Sequence, residues 1–212
     1  MREQHVSQAA FSAVLLPKRY NVVMTSAAIR YLIYSRLCFF GAIGVCILIS
    51  RAAITTNVGI SYYGAVSSTL VPYAAGFLLT CWFVVQAVLR IDTKRPAEKY
   101  MVRGLIALVV LMIAVLAIPY DRGFWIYWLH VALGTSLFLV EMAMAIWMSL
   151  RVQGDAVNRG LFALMSAAGI VSALSLVRWA SLMVPGQLVY ELCFTLILLR
   201  AAHFMAVKAS RQ

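Results

Sequence analysis

The chain has 212 residues, of which 64% are apolar and 12% are charged, and its mean hydropathy is +0.90. This composition excludes an ordinary soluble domain and indicates that much of the surface faces lipid. A net charge of +11 would favour nucleic-acid binding in a soluble protein. Here, however, Lys and Arg form short clusters between long apolar runs, which is typical of membrane orientation signals. We therefore expect no nucleic-acid partner.

Residues 1–35 are expected to form a cytoplasmic N-terminal segment that is basic and partly polar. The first apolar run follows this segment, and no small-residue cleavage site follows the run. A removable signal peptide is therefore not expected. Translation from Met1 and translation from Met24 are both compatible with the sequence.

Six apolar runs are long enough to cross about 30 Å of hydrocarbon as helices of roughly 20 residues. They predict an all-α, polytopic membrane protein in which residues 36–207 form a compact bundle of six transmembrane helices, followed by a cytoplasmic tail at 208–212. The predicted spans run from Arg36 to Ile54, Thr69 to Leu89, Val102 to Ile118, Phe124 to Leu150, Gly160 to Val184 and Gln187 to Val207. A tight turn at Pro185 and Gly186 is predicted to join the last two spans.

The basic residues predict the orientation of the bundle. Fourteen of the 18 Lys and Arg residues fall in the two termini and in the connections after spans two and four. The positive-inside rule then places both termini in the cytoplasm. We therefore expect a multi-pass protein of the inner (plasma) membrane. Eight aromatic residues are predicted to form a belt at the outer interface: Tyr62, Tyr63, Tyr73, Tyr120, Trp125, Tyr127, Trp128 and Tyr190.

No cofactor, metal site or catalytic site is expected. The four cysteines lie in apolar runs without the spacing of metal ligands, so we interpret them as packing residues. His130 and His203 are predicted near opposite faces of the membrane, which disfavours a bis-histidine haem. The sequence also holds no GxSxG motif and no phosphate-binding glycine loop, so an enzyme is not predicted.

Three ionisable residues are predicted near the outer ends of spans four, five and six. Placing such a group in lipid costs about 3 kcal/mol, so each calls for a partner, a wet cavity or a function. Counting residues along each helix puts His130, Arg178 and Glu191 at one depth, roughly 6 to 10 Å from the outer end. One interpretation is a structural ion pair between Arg178 and Glu191. The other is a ligand-binding, outward-facing pocket that all three residues line.

A second polar cluster is predicted nearer the inner face. Glu141 in span four and Arg200 in span six lie at matching depths. His203 shares a helix face with Arg200 because the two residues are three positions apart. One interpretation is a salt bridge between Glu141 and Arg200 that docks the two helices. The other is a proton or ion path through Glu141 and His203.

Span five is rich in small residues, which allow helices to approach closely in lipid. They are Ser166, Ala167, Ala168, Gly169, Ser172, Ala173 and Ser175. This composition predicts that span five is the central packing helix of the bundle.

The first outer loop carries a family resemblance. The loop and the start of span two read Gly59-Ile-Ser-Tyr-Tyr-Gly64 and then Ser68-Thr-Leu-Val-Pro72-Tyr73. This loop, followed by five further spans, resembles the bacterial DUF998 proteins, which are grouped with the Frag1/DRAM/Sfk1-type six-span membrane proteins. The resemblance implies a compact six-helix membrane domain. Its bacterial members lack an assigned biochemistry, and its eukaryotic relatives are linked to lipid handling and membrane trafficking.

Three functions stay open at this point. The first is a non-enzymatic protein that binds or organises a lipid or small amphiphile through the outer cluster, with membrane lipids as its partners. The second is a small transporter or ion-coupled permease that uses Glu141 and Arg200. The third is an accessory subunit whose exposed helical faces dock against another membrane protein.

Reporter fusions test the predicted orientation. A fluorescent protein fused after Thr93 or Gln153 is expected to fluoresce, since both positions lie in connections predicted to be cytoplasmic. Alkaline phosphatase fused after Arg122 is expected to be active and serves as the control for the opposite side. Active phosphatase at Thr93 or Gln153 would contradict the orientation.

Overall fold

A computed structural model describes residues 25–55, 58–93, 96–119, 123–152, 155–175 and 182–209. These residues form an all-α bundle. Its seven α-helices are α1 (Ser26–Ile49), α2 (Ala52–Thr55), α3 (Ser67–Val88), α4 (Pro96–Ala117), α5 (Phe124–Trp147), α6 (Ala156–Ser175) and α7 (Met183–Ala209). A 3₁₀ turn at Ile60–Gly64 precedes α3, and a π-helical turn at Met148–Val152 extends α5.

All the helices except α2 are long and apolar enough to cross a membrane. The mean hydropathy of their most apolar stretch of 18 residues is 1.4 to 2.4. Large apolar side chains cover their outer surface, among them Leu48, Val71 and Trp125, each more than 70% exposed. Such a surface is unfavourable in water and suits lipid. The prediction of an all-α polytopic bundle with six spans is therefore confirmed.

The first span differs most from its prediction. Helix α1 begins at Ser26, ten residues before the expected start at Arg36. Thr25 caps it by accepting a hydrogen bond from the Ala28 N–H, and the Thr25 hydroxyl also donates to the carbonyl oxygen of Arg90 at the end of α3. As a result Arg36 lies inside the span rather than at its cytoplasmic end.

The predicted turn at Pro185 and Gly186 is wrong, because both residues lie in the first turn of α7. Proline is tolerated there, since the first N–H groups of a helix have no partner within the helix. Gly186 lets α7 pack closely on α6, because a Cβ at this position would overlap the hydroxyl of Ser172. Small residues therefore do bring the last two helices together, as expected for helices that pack in a membrane.

The central helix of the bundle is α7 rather than α6, so the prediction for span five is wrong. In the most apolar stretch of 18 residues, 50% of the residues of α7 are buried, against 28% of those of α6. Helix α7 contacts α1, α5 and α6, whereas α6 packs chiefly against α7. Small side chains allow close contact on one side of a helix, but they do not require contact on every side.

The predicted aromatic belt is only partly present. Trp125 and Trp128 are strongly exposed at the start of α5, as a residue at the lipid headgroups would be. Tyr63, Tyr73 and Tyr190 are instead at most 2% exposed and belong to the core. Composition places an aromatic residue near an interface, but it does not show which face of the helix the residue occupies.

The loop before α3 folds back onto the bundle. The Thr69 hydroxyl donates to the carbonyl oxygen of Tyr63 over 2.8 Å. A Cβ on Gly64 would lie 2.9 Å from a ring carbon of Tyr73, so only glycine lets the loop lie this close to α3. The loop thereby closes one end of the space between the helices.

Gly76 sets the closest approach of α1 and α3. A Cβ on Gly76 would overlap the Cβ of Ala42. We therefore expect Gly76→Ala to lower the free energy of unfolding by about 2 kcal/mol, because overpacking forces the helices apart. Thermal unfolding in mild detergent, followed by tryptophan fluorescence, measures the loss.

Two matched variants make this prediction specific. Gly44→Ala on α1 should leave stability nearly unchanged, since a Cβ there meets no atom within 4 Å. Adding Ala42→Gly to Gly76→Ala removes the overlap and should restore most of the stability. Equal losses from Gly44→Ala and Gly76→Ala would contradict the packing argument.

Candidate functional site

Arg36 lies inside the first span and reaches α7. Its Nη1 lies 3.5 Å from Oε2 of Glu191, and its guanidinium carbon lies 4.9 Å from the ring centre of Phe194. The Arg36 and Glu191 side chains are 8% and 14% exposed. Because an uncompensated charge in this environment costs several kcal/mol, each group stabilises the ionised form of the other.

Glu141 on α5 joins this pair. It is 4% exposed, and it lines the same cavity as Arg36 and Glu191. One guanidinium compensates one carboxylate, and a second buried carboxylate without its own cation would be costly. Arg36, Glu141 and Glu191 therefore form a buried triad, with two acids and one base.

A cavity of about 150 Å³ lies beside the triad, between α1, α3, α4, α5 and α7. Its lining is mostly aromatic and aliphatic: Phe39, Tyr73, Phe77, Met112, Val115, Leu137, Phe138 and Tyr190. Gly134 also lines it, and a Cβ there would meet no atom within 4 Å. The cavity thus combines a largely apolar wall with the three charged residues of the triad.

The loop before α3 contributes Ile60 and Ser61 to the cavity wall. The Ile60 N–H donates to Oε1 of Gln187 over 2.8 Å, which fixes the loop to the first turns of α7. A Cβ on Gly59 would lie 3.0 Å from the side-chain amide of Gln187, so glycine permits this close contact. The loop is the roof of the cavity.

His130 lines the same cavity from α5 and is 8% exposed. Its Nδ1 lies against the carbonyl oxygen of Ile118, which can only accept a hydrogen bond. The hydrogen of the imidazole is therefore assigned to Nδ1, and the ring orientation is fixed by the end of α4.

Two of the three residues predicted for the outer cluster line this cavity, namely His130 and Glu191. Arg178 falls in residues 176–181, outside the described residues, so its predicted pairing with Glu191 stays a prediction. In the part of the chain that is described, the cationic partner of Glu191 is Arg36.

The predicted contact between Glu141 and Arg200 is not formed. Arg200 donates from Nη2 to Oδ2 of Asp155 over 2.7 Å and from Nε to Oδ1 of Asn158 over 2.9 Å. Both partners stand at the start of α6, within reach of a long guanidinium side chain. His203 is exposed and lies away from the cavity. The inner cluster is thus a partly exposed docking contact between α6 and α7.

Sequence reasoning missed Arg36 as a site residue because it treated the charge as the cytoplasmic end of a span. A signal was present: Thr25 is a good helix N-cap, and the residues from Ala27 onward continue the apolar pattern through Arg36. A helix started at Thr25 would have placed Arg36 inside the membrane with Glu141 and Glu191.

No family model, curated protein or solved structure matches this chain. The resemblance of the first outer loop to the DUF998 proteins therefore stays a prediction. Within the described residues, no group of three His, Cys, Asp or Glu side chains is arranged to hold a metal ion.

Removal of Arg36 tests the energetic role of the triad. We expect Arg36→Met to lower the free energy of unfolding by roughly 3 kcal/mol, because two buried carboxyl groups lose their cation. Adding Glu191→Gln should recover part of this loss, since the remaining acid can stay neutral. Chemical unfolding in detergent measures both effects.

Arg200→Met is the matched control, because the Arg200 and Asp155 side chains are 36% and 39% exposed. Its loss should stay below about 1 kcal/mol. A larger loss for Arg200→Met than for Arg36→Met would show that the triad is not the dominant ionic contact of the bundle.

Proposed function

We propose that this protein binds a small amphiphilic molecule inside the bilayer, in the cavity between α1, α3, α4, α5 and α7. The observation that carries the proposal is the cavity itself, which has an apolar wall and the triad of Arg36, Glu141 and Glu191 in its lining. Binding sites for small molecules are usually apolar hollows with a few convergent polar groups. An amphiphile matches both parts of such a lining.

The cavity volume limits the size of the ligand. A cavity of about 150 Å³ is large enough for a molecule such as benzene. It is too small to enclose a whole phospholipid. The ligand is therefore a small amphiphile, or one end of a larger one whose remainder lies outside the cavity.

Membrane lipids are the partners that the outer surface of the bundle favours, because exposed apolar side chains cover it. We further propose the inner (plasma) membrane as its location, with both termini in the cytoplasm. The distribution of Lys and Arg supports this orientation. In this arrangement the roof of the cavity lies at the outer side.

A small permease is a second candidate, and the carboxyl pair of Glu141 and Glu191 favours it. Carboxyl groups buried in a membrane protein often mark ion or proton pathways. Because Glu141 does not pair with Arg200, such a pathway would begin at the triad. Both candidate functions use the same cavity, so the same set of variants tests whether the cavity is the site of either function.

A photoreactive ligand tests whether the cavity binds amphiphiles. The probe is a short-chain alcohol that carries a diazirine, and the adducts are mapped by mass spectrometry after irradiation in lipid nanodiscs. We expect adducts on cavity residues such as Leu137 and Phe138. Gly134→Leu should abolish these adducts, because the new side chain fills the open space beside Gly134.

Gly41→Leu is the matched control, since a Cβ on Gly41 also meets no atom within 4 Å and this glycine is not part of the cavity lining. Labelling of the cavity should persist in this variant. Adducts found only on lipid-facing residues such as Leu48, or unchanged cavity labelling in Gly134→Leu, would overturn the proposed function.

A further inference from the structure

The triad holds two carboxyl groups against one guanidinium. Arg36 contributes one positive charge, and Glu141 and Glu191 together contribute one negative charge when one of the two carboxyl groups holds a proton. The triad is then neutral as a whole. Loss of this proton would leave two carboxylates against one guanidinium, and an excess charge is costly in so buried a place.

We propose that the cavity exchanges this proton for a small organic cation. The inference rests on the proposed function, since it assigns the charge of the amphiphile that the cavity binds. A cation of the alkylammonium class restores neutrality when the proton leaves to water. Its alkyl groups match the apolar wall, and its charge lies beside the carboxyl pair.

The aromatic lining favours the same ligand class. The rings of Phe39, Tyr73, Phe77, Phe138 and Tyr190 face the cavity. Tyr73 and Phe77 lie 4.3 Å apart between ring centres, and Phe138 stacks on Tyr190 at 3.8 Å. Aromatic faces attract desolvated cations, and quaternary ammonium ions are commonly recognised in this way.

Arg36 supports the exchange from α1, beside the carboxyl pair. Among the described residues, Arg36 forms an ion pair with Glu191 over 3.5 Å, and its buried Nε has no hydrogen-bond partner there. A guanidinium has five N–H donors in a planar fork. Arg36 therefore has a donor at Nε that no described residue uses and that is available to the second carboxylate once the proton has left.

The other titratable groups around the carboxyl pair are not expected to release this proton in its place. Helix α3 contributes Tyr73 and α7 contributes Tyr190, whose hydroxyl donates to the carbonyl oxygen of Phe138 over 2.8 Å. Helix α5 contributes His130, held at Nδ1 by Ile118, and α4 contributes only apolar side chains to the cavity. The carboxyl pair is thus the acidic group of the cavity.

Tetramethylammonium is a suitable probe, because its charge does not change with pH. The full chain is reconstituted in nanodiscs of phosphatidylcholine, and binding is measured by titration calorimetry. A pH-sensitive dye in weakly buffered solution reports proton release. We expect release of about one proton per bound ion and an affinity that rises about tenfold for each pH unit while the pair holds its proton.

Glu141→Gln provides the decisive variant. The amide imitates a protonated carboxyl group next to Glu191, so tetramethylammonium binding should fall at least about tenfold and proton release should vanish. Glu191→Gln gives the same readout if Glu141→Gln fails to fold. Asp92→Asn is the control, because it removes an exposed carboxylate in the connection after α3, outside the cavity lining, and should leave binding unchanged.

A neutral probe of similar size, tert-butanol, separates this inference from the proposed function. Binding of tert-butanol that Gly134→Leu abolishes, without any binding of tetramethylammonium, would overturn the exchange and keep the amphiphile site. Tetramethylammonium binding without proton release would also overturn the exchange. Binding of neither probe in the cavity would contradict both proposals.

Discussion

A buried guanidinium constrains much of this bundle, because it cannot be left without a negative charge beside it. Arg36 lies in the middle of α1, ten residues from its start, and is 6% exposed. Glu191 supplies the compensating charge from α7, and the stack of Arg36 on Phe194 shields the guanidinium further. The rotation of α1 against α7 is therefore fixed by charge, whereas close packing of small residues fixes α1 against α3 and α6 against α7.

The second acid turns this ion pair into a site. Glu141 lies on α5 and gives the triad two acids against one base, so the charge that the triad can hold depends on what else is bound near it. A purely structural ion pair would need only one carboxylate and no open space. The cavity beside the triad and the loop fastened over it by Gln187 supply the space and the enclosure that a ligand requires. Charge imbalance and cavity together distinguish this cluster from the contact of Arg200 with Asp155.

Much of the fold was accessible from the sequence, and the reason is physical. A span must be long and apolar to cross a bilayer, so hydropathy alone gives six helices. Boundaries were less accessible, since a charge such as Arg36 reads as the end of a span unless its partner is known. Pro185 and Gly186 read as a turn although proline is equally suited to the first turn of a helix.

The composition of the site was harder to predict than its depth. Residue counting put His130 and Glu191 near one depth, and the structure places both on one cavity. Residue counting also paired Glu141 with Arg200, because matching depth does not show which way each helix is rotated. The long side chain of Arg200 reaches Asp155 and Asn158 instead. Contacts between helices depend on rotation and tilt, and neither is encoded in a run of hydrophobic residues.

The glycine contacts hold two pairs of helices close together. Gly76 brings α3 against Ala42 of α1, and Gly186 brings α7 against Ser172 of α6. Between these pairs lie the cavity and the 3.5 Å contact of Arg36 with Glu191. A displacement of one pair relative to the other would therefore change the space at the triad while both glycine contacts stay in place. A change of charge at the triad would act on the contact between the pairs and not on the contacts within them.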